Sequence, residues 1–90
     1  MVNKKLAPHP EVTLTEFEEE GVLLHLETKT YYGLNKPGLY VWGLIKDGIS
    51  PTEIVDRVQA EFSVEKKVAE ENVSRVVDEL IKEKLVQVVD

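Results

Sequence analysis

The stretch from Val22 to Asn35, VLLHLETKTYYGLN, constrains this chain more than any other, and it runs directly into Lys36, Pro37 and Gly38. Strand side chains alternate between faces, so Val22, Leu24 and Leu26 point one way and Leu23, His25 and Glu27 the other. On this reading His25 stands on the outer face of the sheet. Thr28 and Lys29 make a short polar turn, and Thr30, Tyr31 and Tyr32 are strand formers. Tyr31 and Tyr32 are adjacent, so one of them packs inward and the other faces out. Asn35 closes the strand and serves as the N-cap of a helix whose first turn tolerates Pro37. The segment therefore reads as a β-hairpin feeding a helix.

Upstream, Val12 to Phe17 alternates Val12 and Leu14 against Thr13 and Thr15. Glu18, Glu19, Glu20 and Gly21 form a polar turn. Residues 12 to 34 thus predict a three-stranded antiparallel meander, since short connections favour neighbouring pairing. Residues 1 to 10 read as a flexible N-terminal tail: Pro8 and Pro10 oppose helix, with His9 between them. The folded domain is then 11–90. Of the two sheet edges, the first strand carries Glu11, Glu16 and Glu18, and charged edges resist pairing with foreign strands. The third strand carries no charge after Lys29. Its edge is the open one, and it reads as a docking edge for a peptide.

Three helices follow. Leu39, Trp42 and Ile45 recur at helical spacing between Lys36 and Lys46, with Val41 beside them and Gly48 placed to end the helix. Trp42 reads as a core residue. Ser50, Pro51 and Glu53 match a capping box, opening a second helix over Pro51 to Glu61 with Ile54, Val55, Val58 and Phe62 on its apolar face. The third helix covers about Lys66 to Glu83. There Ala69, Val73, Val76, Val77, Leu80 and Ile81 share one face, and Glu71–Arg75 and Asp78–Lys82 are i,i+4 pairs. Leu85 to Val89 is a short extended end. The fold class is α+β: an N-terminal three-stranded antiparallel sheet, then three helices, in a winged-helix-like order.

Composition narrows the function. A net charge of −6 over 90 residues opposes a surface built to neutralise phosphates. A basic peptide or a basic protein patch suits it better. There are no cysteines, which excludes disulfides and thiolate chemistry. No apolar run has the length of a membrane span or a signal peptide, so a cytoplasmic chain is expected, with no membrane partner. His9 and His25 lack partners at a recognisable metal spacing, so neither a metal site nor a catalytic role is expected. No phosphate loop or nucleophile elbow is present, and the chain reads as a non-enzyme without a cofactor.

Two other readings stay open. As a winged-helix nucleic-acid-binding regulator the third helix would enter a groove, although its charges from Lys66 to Lys84 cancel. As a self-associating domain the open edge would build a homodimer.

His9-Pro10-Glu11-Val12, then Gly21 to Thr28, then Tyr31-Tyr32-Gly33-Leu34-Asn35, together with Gly38, Trp42, Gly48, Ile54-Val55, Asn72-Val73, Leu80, Leu85 and Val86, resemble the PqqD-like family. The match covers nearly all of the chain after residue 8. The family comprises recognition elements for ribosomally synthesised, post-translationally modified peptides (RiPPs). The resemblance implies a peptide chaperone that binds the leader of a precursor peptide by strand addition. It also implies presentation of that leader to a modifying enzyme, such as a radical S-adenosylmethionine (SAM) protein or a leader peptidase. Carried over by position, the docking strand is Thr30, Tyr31, Tyr32, Gly33 and Leu34, and the wall is Asn72, Val76, Glu79 and Leu80 on the third helix. Two positions depart from the family pattern. Asn72 stands where aspartate is common, and Lys84 stands where glycine commonly ends the third helix. The hairpin looks more like the wider family than like members of the pyrroloquinoline quinone pathway.

Overall fold

The computed structural model describes residues 4–89. Its elements are β1 (Leu6–Pro8), β2 (Val12–Phe17), β3 (Glu20–His25), β4 (Tyr31–Leu34), α1 (Lys36–Lys46), α2 (Pro51–Phe62), α3 (Lys66–Lys82) and β5 (Val86–Val88). β2, β3 and β4 form the expected antiparallel meander, with Leu23 opposite Tyr32 and Val22 opposite Gly33. The helices cover one face of this sheet. Leu23, Leu34, Val41, Trp42, Ile45, Ile54, Val58, Val73, Val77 and Leu80 join in a single core. The α+β, winged-helix-like reading holds.

The expected tail is ordered where it is described. Leu6–Pro8 pairs antiparallel with Val86–Val88, giving a second, two-stranded sheet. Leu6 is buried to 1% exposure in the main core. Three residues suffice for a strand here because the partner is the other end of the chain, brought back by α3. Residues 1–3 of the expected tail, and Asp90, lie outside the described residues.

The helix ends follow local chemistry. Asn35 caps α1, its Oδ1 accepting from the Gly38 N–H at 2.9 Å. Ser50 precedes α2 in an extended conformation but makes no side-chain cap bond. The expected capping box is therefore not closed: Glu53 turns to Arg57, 3.4 Å away, instead of reaching back. α3 ends in a Schellman turn, with the Leu85 N–H donating to Leu80 O and the Lys84 N–H to Ile81 O. This turn places Lys84 at φ 60°. That is the left-handed position where the family commonly has glycine, and a side chain there costs about 1 kcal/mol. Burial of both Leu80 and Leu85 offsets it.

Candidate functional site: an open strand edge beside a groove

β4 is an edge strand, paired with β3 on one side and, among the described residues, with nothing on the other. The His25 N–H donates to Thr30 O at 3.0 Å. Antiparallel ladders alternate bonded and non-bonded pairs, so Tyr32 and Leu34 also turn their main-chain groups to β3. The main-chain groups of Tyr31 and Gly33 then face the open edge. Side chains alternate in the perpendicular sense. Tyr32 and Leu34 point under the helices, while Tyr31 is 69% exposed on the outer face. This settles which of the two tyrosines packs inward.

Beside this edge two clefts run together. One, of about 130 Å³, lies among Tyr32, Gly33, Leu34, Asn35, Arg75 and Val76. The other, of about 140 Å³, is lined by Asn35, Gly38, Val41, Asn72, Arg75 and Val76. Their shared residues make one groove, with β4 and the start of α1 on one side and α3 on the other. Gly38 is buried at its floor, where an added Cβ would sit 3.1 Å from Asn35 Oδ1 and 3.3 Å from Leu34 Cδ2. A side chain there would press on both the cap and the groove.

A hydrogen bond crosses from β4 to α3. The Tyr32 hydroxyl donates to Glu79 Oε1 at 2.5 Å, and Arg75 lies 3.4 Å from the same oxygen. Burial, then the hydrogen bond to the Glu79 carboxylate and its charge, push the Tyr32 phenol up to about 12.

Of the nine expected site residues, Tyr32, Gly33, Leu34, Asn72 and Val76 line the groove, and Glu79 is tied to Tyr32. The other three stand elsewhere. Thr30 lies in the turn before β4, Tyr31 offers only its main chain, and Leu80 is fully buried in the core. Leu80 is corrected because it sits at the centre of the apolar arc of α3, while the groove uses one margin. That margin also carries Arg75, which the sequence reading missed along with Asn35 and Gly38. Helical spacing from Asn72 and Glu79 pointed to Arg75, but its pairing with Glu71 was expected instead.

The placement of His25 is also corrected. It shares the inner face with Leu23 and is 2% exposed. It borders a larger cleft, of about 450 Å³, between the β3–β4 turn and the end of α3. That cleft lies off the β4 edge.

An edge strand with a groove at its side is the arrangement that peptide binding by strand addition uses. The family model described as coenzyme PQQ synthesis protein D (PqqD) matches residues 20–86, and this chain belongs to that family. One similar solved structure is "TbiB1 in Complex with the TbiA(beta) Leader Peptide". It is 33% identical, covers 93% of this chain and 98% of that one, and has a TM-score of 0.83. A second, "Lasso peptide synthetase B1 complexed with the leader peptide", is 23% identical with a TM-score of 0.82, over 92% of this chain and 98% of that one. This second likeness concerns the fold alone. No curated protein matches the chain.

Proposed function

We propose that this chain binds the leader of a ribosomally synthesised precursor peptide and presents it to a modifying enzyme. The leader adds as a strand along β4, bonding to the outward main-chain groups of Tyr31 and Gly33. Its side chains enter the groove at Asn35, Arg75 and Val76. The observation that carries this reading is the unpaired β4 edge beside that groove, in a chain 33% identical to one solved with a leader peptide. Each ladder bond adds about 1 kcal/mol net, so the groove supplies much of the selectivity. The chain acts by binding, without chemistry of its own. Its enzyme partner is a radical SAM protein or a leader peptidase, and a cytoplasmic location belongs to the same reading. No helix among the described residues is long and apolar enough to cross a membrane.

The test is a titration with a synthetic leader peptide, the TbiA(beta) leader of the 33% identical neighbour serving as the probe, against the parent and Gly33→Pro. Gly33 is exposed, lacks the positive φ of Gly48, and has nothing within 4 Å of an added Cβ. Proline there removes an edge N–H and leaves the β3 ladder intact. Affinity should fall about tenfold or more while the thermal midpoint holds. Unchanged affinity in a folded Gly33→Pro contradicts strand addition at this edge. A mass that doubles with concentration without leader would assign the edge to a homodimer instead.

A further inference from the structure

We propose that His9, His25 and Glu27 form a binding site for a divalent transition-metal ion of the zinc class. The fold brings together residues that look unrelated in sequence. His9 follows β1, which is held against β5, and its N–H donates to Leu85 O at 3.0 Å. His25 ends β3 on the inner face, and Glu27 lies in the turn beyond it. The two imidazole centroids are 4.5 Å apart. One ligand atom from each of the three residues lies within 4.8 Å of the other two. His9 Nε2 is 3.9 Å from Glu27 Oε1. His25 is buried and His9 half-buried, while the Glu27 carboxylate is exposed and free to swing inward.

Two imidazoles and one carboxylate suit zinc, cobalt or nickel better than calcium or magnesium, which take all-oxygen sets. The adjoining cleft of about 450 Å³ leaves room for water at the remaining positions. Lys84 also lines that cleft, but it is exposed, where solvent and salt screen its repulsion of a cation.

The hydrogen bonds around the rings give the site a signature. His9 Nδ1 accepts from the Glu11 N–H at 3.0 Å. His25 Nδ1 accepts from the N–H groups of Glu27 and Thr28, at 3.2 and 3.4 Å. A neutral imidazole has one N–H, so these bonds place it on Nε2 in the metal-free chain. Coordination through Nε2 moves that proton to Nδ1, which can then no longer accept. The amides of Glu11, Glu27 and Thr28 are released as the ion binds. Metal uptake therefore has a local readout independent of any peptide.

The experiment uses the untagged full chain, stripped with EDTA and titrated with zinc chloride at neutral pH by calorimetry and amide NMR. One ion per chain should bind at micromolar concentration, shifting the Glu11, Glu27 and Thr28 amides together. His9→Asn and Glu27→Gln, both at solvent-accessible positions, should each weaken binding at least about tenfold. His25→Asn keeps an acceptor near the Nδ1 position and should do the same. The proposal is overturned by any of three results: no uptake at millimolar zinc, uptake that His9→Asn and Glu27→Gln leave unchanged, or uptake that leaves those three amides unmoved.

Discussion

Tyr32 joins β4 to α3 through a hydrogen bond to Glu79, and its ionisation sets a limit on that link. The phenol is raised from 10 to about 12 by burial first and then by Glu79. Below pH 10 it is protonated in folded and unfolded chains alike, and its contribution to stability is complete. Between pH 10 and 12 the unfolded chain gives up the proton first, so that contribution is lost as pH rises through the window. Urea midpoints measured across that range should fall more steeply for the parent than for Tyr32→Phe. At neutral pH the same substitution should cost about 1 kcal/mol. At this scale alternation reveals the parity of a strand but not which face is inner. Alternation correctly separated Leu23 and His25 from Val22 and Leu24. Three apolar residues in the second set made it look like the inner one, yet Val22 is exposed and His25 buried. The His25 ring is accommodated inside because backbone N–H groups satisfy its Nδ1, and nothing local in the sequence announces that.

Among the elements, the β1–β5 pair is the one that local reasoning could not reach. Leu6, Ala7 and Pro8 are too few to show a period, and their partners Val86–Val88 stand at the opposite end of the chain. The meander and the three helices were legible because their signals are local: alternation, turn residues, helical spacing and the Asn35 cap. The groove was half legible for the same reason. The β4 edge follows from strand order, whereas the contributing margin of α3 depends on how that helix packs. If β1 is structural, Leu6→Ala should lower unfolding free energy by about 2–4 kcal/mol in a denaturant titration. A free tail would leave the midpoint unchanged.

As a whole, the molecule is small and acidic, at −6 over 90 residues. α3 buries Ala69, Val73, Val76, Val77 and Leu80, and the charges left on it balance. A groove-reading helix needs a basic face, so mobility shifts with duplex DNA should stay flat even at low salt. A salt-sensitive complex would reopen the regulator reading. Among the described residues the fold instead leaves the outer edge of β4 unpaired beside an accessible groove. Hydrogen exchange at the Tyr31 and Gly33 amides, with and without the leader peptide, tests that assignment most directly. Both amides should exchange freely in the unbound chain and become strongly protected in the complex. If the leader binds and both go on exchanging as before, the peptide lies elsewhere and the docking strand is misassigned.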